Sequence, residues 1–148
     1  MSSTYLKLIS TDPGFVLDKL KQEKAQEFLN REFKNSKIEI IKTDNIEFVD
    51  QGANFEGVSC NYCGRNINIE IWQNAMDKAY KTNFKDLSFV TPCCHKSTSL
   101  NDLKYNWPVG FAKFVISIAD PPSDIKDDVV KGLEKILGTR IRKIWAHY

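Results

Sequence analysis

Four cysteines form two close pairs in this chain, and their spacing is typical of a metal site. Cys60 and Cys63 have the C-x-x-C spacing and precede Gly64, while Cys93 and Cys94 are adjacent. Two cysteines three positions apart at a strand end can turn both sulfurs toward one ion. A glycine after the second lets the backbone curl so that N–H groups face the thiolates. The pattern predicts one tetrahedral zinc ion held by four thiolates.

The adjacent pair leaves the ligand set open. Neighbouring residues of an extended strand point to opposite faces, so both sulfurs reach one ion only where the chain turns tightly. Pro92 favours such a turn. His95 is the substitute ligand, since with one cysteine of this pair it would complete a site of three thiolates and one imidazole. A third alternative has no metal, with the thiols either buried as small hydrophobes or acting as a redox pair.

The segment that follows the first cysteine pair argues against redox chemistry. Reactive dithiols usually lie at the N-terminus of a helix, which lowers the thiol pKa. Residues 66–71 (NINIEI) alternate in the manner of a strand instead. Four soft ligands also fill a tetrahedral coordination sphere and leave no position for water or substrate. We therefore expect the metal to be structural rather than catalytic.

The elements that position these cysteines follow from hydrophobic periodicity. We predict strands at 4–10, 37–43, 66–71, 87–91, 110–119 and 140–146. A first helix is predicted at 14–34 with Asp12 as its cap, and a short second helix contains Trp72. A third begins at Ser123 or Asp124 and ends at Gly138. The order is β-α-β, a cysteine-bearing middle, and β-α-β.

This order predicts the fold class α+β. Two β-α-β units can share one ferredoxin-like sheet with both helices on one face, and the middle of the chain then forms a zinc-ribbon-like insert. A Gly/Ser-rich linker is absent from the sequence. We therefore predict a single domain over 1–148, with the zinc-binding insert at 51–107 inside it.

Composition and targeting signals narrow the cellular setting. Of the 148 residues, 42% are hydrophobic and 27% charged, a globular balance that excludes wholesale disorder. The N-terminus lacks the basic and apolar regions of a signal peptide, and the strongest apolar run is interrupted by Lys113 and Ser117. We therefore expect a cytoplasmic protein without a membrane partner. A reducing cytoplasm disfavours disulfides and favours metal binding by these cysteines.

One cluster of basic residues near the C-terminus suggests a second type of partner. A net charge of +2 does not by itself indicate nucleic-acid binding, which needs clustered charge. The last predicted helix and strand supply such a cluster, namely Lys135, Arg140, Arg142 and Lys143. On a strand, Arg140 and Arg142 would share one face. These four residues are the candidate contacts for phosphate groups.

Several motifs together resemble a family of small uncharacterised bacterial proteins, some of which carry a transporter-ATPase label. The motifs are CxxCG at 60–64, TPCC at 91–94, SLNDL at 99–103, WPxGFA at 107–112 and IWAHY at 144–148, with YLKL at 5–8. The resemblance covers nearly the whole chain and implies that both cysteine pairs belong to the family pattern. It also implies glycine at position 95, which favours Cys93 and Cys94 over His95 as ligands. The ATPase label would require a phosphate-binding loop, and the sequence contains none.

Three functions follow from the sequence, in order of preference. The first is a non-catalytic, zinc-stabilised module that binds another protein or a small ligand. The alternative is a nucleic-acid-binding zinc-ribbon protein that uses the basic cluster. The second alternative is an enzyme with an unrecognised site in the groove between the insert and the sheet.

Overall fold

The computed structural model describes residues 3–148, and these form three helices and eight strands. The helices are α1 (Lys19–Glu32), α2 (Ile69–Lys81) and α3 (Asp127–Leu137). The strands are β1 (Thr4–Ser10), β2 (Ile38–Val49), β3 (Val58–Ser59), β4 (Ser88–Val90), β5 (Ser97–Ser99), β6 (Lys104–Tyr105), β7 (Gly110–Ala119) and β8 (Ile141–His147). Within this part of the chain, no helix is both long and apolar enough to cross a membrane.

The main sheet has the strand order β2-β7-β1-β8, and every neighbouring pair is antiparallel. The helix α1 joins β1 to β2, and β7 lies between these two strands. In the same way α3 joins β7 to β8, and β1 lies between them. The predicted α+β class is therefore confirmed, and the β-α-β units at the two ends of the chain interleave in one sheet.

The helices α1 and α3, the outer helices, pack on the same face of this sheet. Successive side chains of a strand point to opposite faces of the sheet, so every second residue of β1 and β7 points toward this face. The apolar stripes of α1 and α3 cover them. The largest completely buried members of this core are Leu6, Leu8, Leu29, Phe114, Ile116, Ile118, Leu133 and Leu137. The sheet and its two helices thus have a core of their own.

The predicted start of the first helix was wrong, and local hydrogen bonds give the reason. Asp18, not Asp12, is the N-cap, and its carboxylate accepts a bond of 2.8 Å from the N–H of Lys21. Asp12 instead accepts from the N–H of Gly14 and closes a turn. The third helix also begins later than predicted, after Lys126. Its predicted end is confirmed, because Gly138 is left-handed with φ of 76°.

The strand predicted at 66–71 was also wrong, because α2 begins there. The side chain of Asn68 accepts a hydrogen bond from the N–H of Glu70 at 2.8 Å and caps the helix. The alternation of isoleucines that suggested a strand does not reflect alternating burial along a strand. Ile67 is buried before the helix, whereas Ile69 and Ile71 lie on its exposed side.

The middle of the chain forms a second hydrophobic core around Trp72. Its indole ring stacks on Phe55 at 5.5 Å and meets Phe48 and Tyr105 edge-on at 6.2 Å. The Nε1–H of Trp72 donates to the Tyr105 hydroxyl at 3.1 Å. Phe48 and Phe111 belong to β2 and β7, which continue beyond the region covered by the outer helices. The same two strands therefore carry both cores.

Arg142 joins the sheet to this middle segment. Its guanidinium donates to the main-chain oxygens of Asn101 and Val109 at 3.0 and 2.9 Å, and to the side-chain oxygen of Asn101. Burial lowers the pKa of Arg142, and the nearby Asp102 and Tyr105 oppose that effect. Because the acceptors are partly buried carbonyl groups, removal of the guanidinium leaves them without a donor.

We expect Arg142→Ala to lower the free energy of unfolding by about 2–4 kcal/mol, because it removes a charged donor from partly buried carbonyls. Arg140→Ala is the matched control, since Arg140 is exposed, and its effect should stay within about 0.5 kcal/mol. Urea unfolding followed by circular dichroism measures both. Equal stability of the two variants would contradict the joining role of Arg142.

Candidate metal centre

The four cysteines come together at one point of the middle segment. Their sulfur atoms all lie within 4.8 Å of one another, and Cys63 Sγ is 3.3 Å from Cys93 Sγ. All four are free thiols. Tetrahedral zinc with Zn–S bonds of about 2.3 Å places its sulfurs about 3.8 Å apart. The four predicted ligands therefore form a cluster of the size that holds a metal ion.

The first cysteine pair lies in a turn that follows β3. The N–H of Cys60 donates to the carbonyl of Arg65 at 2.8 Å, and the N–H of Gly64 donates back to the carbonyl of Cys60 at 3.0 Å. Gly64 is left-handed, with φ of 78°. The turn also directs the N–H of Tyr62 at the sulfur of Cys60, 3.3 Å away. This main-chain donor stabilises a thiolate.

The second pair lies in a turn between β4 and β5 that repeats these main-chain bonds. The N–H of Thr91 donates to the carbonyl of Lys96 at 3.0 Å, and the N–H of His95 donates to the carbonyl of Thr91 at 2.9 Å. His95 is left-handed, with φ of 55°. The tight turn that the sequence required for two adjacent cysteines is thus present, and it has the same pattern as the first turn.

Alignment of the two turns explains the unequal cysteine spacing. Residues 60–65 (CNYCGR) correspond one by one to residues 91–96 (TPCCHK). Cys94 therefore matches Cys63, while Thr91 takes the place of Cys60 and Cys93 takes the place of Tyr62. This correspondence was not predicted from the sequence, although the residue pairs Cys63-Gly64 and Cys94-His95 carry the signal for it.

Thr91 has a structural task at the position that a cysteine fills in the first turn. It is fully buried, and its hydroxyl oxygen accepts a hydrogen bond from the N–H of Lys96 at 3.0 Å. As a metal ligand, a threonine hydroxyl is hard and therefore a poor match for an ion that prefers soft thiolates. The second sulfur of this turn comes from Cys93, at the third position.

His95, the predicted substitute ligand, lies outside the sulfur cluster. Among the residues that the structure describes, the groups close enough to share one ion are the four cysteines. The side chain of His95 is exposed. Its backbone corresponds to Gly64, and histidine is one of the few residues other than glycine that is enriched in the left-handed region.

The environment of the cluster divides the thiols into two types. Burial raises the pKa of Cys60, but hydrogen bonds from the N–H groups of Cys63 and Tyr62 and from neighbouring thiols outweigh it and lower that pKa to about 6. A bond from the N–H of Arg65 lowers the pKa of Cys63. The first turn therefore favours thiolates, the form of cysteine that binds metal.

The pKa values of the second cysteine pair are shifted in the opposite direction. A hydrogen bond with Cys63, together with burial, raises the pKa of Cys94 to about 12. Burial and hydrogen bonds with Cys63 and Cys60 raise the pKa of Cys93. Four thiolates this close repel one another, so full deprotonation of the cluster requires a cation at its centre.

Tyr62 connects the two turns at the surface of the cluster. Its hydroxyl donates to the carbonyl of Ser97 at 2.9 Å. The ammonium group of Lys96 lies 5.0 Å from the centre of its ring. These contacts bring the two hairpins together independently of the sulfur atoms, and so position the second pair against the first.

The basic residues proposed to contact nucleic acid do not form one surface. Arg142 bonds to main-chain carbonyls, and Lys143 pairs with Asp124 at 3.1 Å. Lys135 and Arg140 line one shallow depression beside Glu134. The structure therefore brings two of the four together and directs the other two elsewhere. Nucleic-acid binding by these residues stays a prediction.

Comparison of the chain with protein-family models, with curated proteins and with solved structures gives no match. The family resemblance drawn from the motifs stays a prediction.

We expect His95→Gly to leave the metal content unchanged and to raise the free energy of unfolding by about 0.5–1 kcal/mol, because glycine adopts positive φ without strain. Gly64→Ala is the matched control. Within residues 3–148, a Cβ at Gly64 would meet no atom within 4 Å. Its φ alone should therefore lower stability, by about 1–2 kcal/mol. Elemental analysis and urea unfolding measure these effects. Loss of metal from the His95→Gly protein would identify the imidazole as a ligand.

Proposed function

We propose that this protein is a zinc-stabilised, non-catalytic binding module. One observation carries the proposal: two hairpin turns of the same backbone pattern bring four cysteine sulfurs within 4.8 Å of one another. The donor set is entirely soft sulfur, which selects zinc or iron among the common cellular metals. Zinc is the better fit, because it accepts a tetrahedral thiolate site without redox chemistry.

The size of the secondary structure around the cluster supports a structural role for the ion. The strands β3 and β6 have two residues each, and β4 and β5 have three each. A single isolated pair of strands is marginally stable at best in water, and these two pairs are short. Binding of a structural zinc contributes about 10–16 kcal/mol in small zinc domains, and that free energy stabilises the fold.

We further propose that the main sheet is ferredoxin-like and that the middle of the chain is a zinc-ribbon-like insert. The order β2-β7-β1-β8 supports a ferredoxin-like sheet, and the paired cysteine turns support a zinc-ribbon-like insert at 51–107 of a single domain. The left-handed conformation at position 95 supports the family resemblance, since that resemblance implies glycine there. Four free thiols suit the reducing cytoplasm, where we place the protein.

A closed ligand set argues against catalysis at the ion. Four thiolates satisfy tetrahedral zinc, so no coordination position is left for a water or a substrate carbonyl. Partner binding then falls to the protein surfaces that the ion stabilises. We therefore expect the partner to be another protein or a small ligand, held away from the metal.

We expect protein purified without added metal to contain one zinc ion per chain, and Cys60→Ser to lose it, because a serine hydroxyl does not replace a buried thiolate ligand. The variant should lose circular dichroism and near-ultraviolet signals of the Trp72 core, since metal-binding energy is folding energy here. Asn61→Ser is the matched control, because Asn61 is exposed in the same turn. Elemental analysis and thiol titration with and without a chelator measure the outcome.

Two results would contradict a zinc site, and a third would contradict its structural role. One is iron in place of zinc, which would make the cluster an electron-transfer site. The other is four freely reactive thiols in a folded protein without metal, which would make Cys60 and Cys63 a redox pair. An unchanged melting temperature after chelation would remove the structural role.

A further inference from the structure

A groove of about 390 Å³ lies between α2 and β4, beside the metal-binding hairpin. Its volume is within the range of small-ligand sites. One wall is a helix face, and the other is a strand with its preceding turn. The residues that define it are Ile71, Asn74, Ala75, Lys78, Ser88 and Val90.

The helix wall is a flank of α2 that overlaps at Ala75 and Ala79 with the side that packs in the core. Residues 71, 74, 75, 78, 79 and 82 recur at helical spacing and form one continuous stripe along the groove. The core side of α2 buries Trp72. Ile71 is 42% exposed at one end of the groove, and Val90 on the opposite wall is 59% exposed. Two aliphatic side chains thus face solvent across a concave surface.

The strand wall is an open edge of β4. The N–H of Leu100 bonds to the carbonyl of Leu87, and the N–H of Thr91 bonds to that of Lys96. Hydrogen-bonded pairs alternate in an antiparallel ladder, so residues 87, 89 and 91 bond toward β5. Ser88 and Val90 direct their main-chain groups the other way, toward the groove.

Within residues 3–148, three main-chain groups of this edge have no hydrogen-bond partner. The N–H of Ser88 already donates a hydrogen bond to the carboxylate of Asp86 at 3.0 Å. The carbonyl of Ser88 and both the N–H and the carbonyl of Val90 are left for an added strand. One residue of that strand can bond twice to Val90, and the residue two positions away can donate to Ser88.

We infer that this groove binds an extended peptide segment of a partner protein by strand addition to β4. Main-chain bonds to Val90 and Ser88 would hold the peptide, and an aliphatic side chain would pack between Ile71 and Val90. The inference rests on the proposed function, because it names the partner class of the zinc-stabilised module.

Charge in the groove adds one requirement for the peptide. In the described part of the chain, Lys78 makes no ion pair, whereas Asp86 is bonded to the N–H and hydroxyl of Ser88. The hydrogen bonds from Ser88 lower the pKa of Asp86 and keep it ionised. The groove therefore contains one ammonium group on the helix wall and one ionised carboxylate on the opposite wall. Lys78 is the group that is free to pair with a carboxylate on the peptide, on the side of the groove away from Asp86.

A displayed library of random linear peptides, selected on the zinc-loaded protein, tests this inference. Recovered peptides should combine an aliphatic residue with Asp, Glu or a free C-terminal carboxylate. Val90→Pro should weaken their binding about tenfold or more, because proline removes the N–H that an added strand needs. The ladder to β5 does not use this N–H, and proline is tolerated at strand edges. Val90→Ile is the matched control, since it keeps the N–H and the aliphatic surface.

A second pair of variants covers the case in which Val90→Pro does not fold. Asn74→Arg places a long side chain in the groove and should abolish binding, whereas Gln73→Arg should leave it unchanged. Both residues are exposed on α2, but only Asn74 lines the groove. Lys78→Glu should weaken the carboxylate-bearing peptides about tenfold, and Lys81→Glu should not.

The zinc content and melting temperature of each preparation separate the two proposals. If folded, zinc-loaded protein recovers no peptide, or recovers peptides that bind Asn74→Arg as well as wild type, the groove inference is overturned and the zinc-stabilised module stands. If the folded protein contains no zinc but binds peptides that Asn74→Arg rejects, the groove inference stands and the structural zinc is overturned.

Discussion

The middle of this protein depends on one constraint: four cysteine sulfurs must reach a single point from two separate hairpins. Each hairpin meets it with the same pair of main-chain bonds, which close six residues around a left-handed position, Gly64 in one turn and His95 in the other. A left-handed residue reverses the chain within each turn, and in the first turn main-chain N–H groups face the sulfurs. The surrounding strands are too short to impose this geometry.

Contacts with the main sheet hold the cysteine-bearing segment in place. The strands β2 and β7 extend from the helix-covered sheet into the second core, where Phe48 and Phe111 meet the aromatic cluster around Trp72. Arg142 ties the last strand to the carbonyl groups of Asn101 and Val109. The cysteine-bearing segment therefore packs against the sheet, and its hairpins start from positions that these contacts define.

Much of the main sheet could be predicted from the sequence, because the hydrophobic residues of its strands follow a simple periodicity. The strand Gly110–Ala119 and the glycine cap at 138 occur where they were expected. The sulfur cluster was also predictable from residue type. The strand expected at 66–71 was not correct, since the alternation of Ile67, Ile69 and Ile71 suits a strand and a capped helix start equally well. The side-chain bond of Asn68 decides between them, and such a bond has a weak sequence signal.

The unequal cysteine spacing shows why ligand positions and turn geometry must be considered separately. In the first turn the ligands occupy the first and fourth positions, whereas in the second turn Thr91 fills the first position and Cys93 supplies the missing sulfur from the third. The backbone pattern is retained while the ligand moves. This second turn begins where β4 ends, and the other edge of β4 lines the groove beside α2. An ion bound by the sulfur cluster would fix the turn and with it the strand edge, so the candidate metal centre and the groove share one structural element.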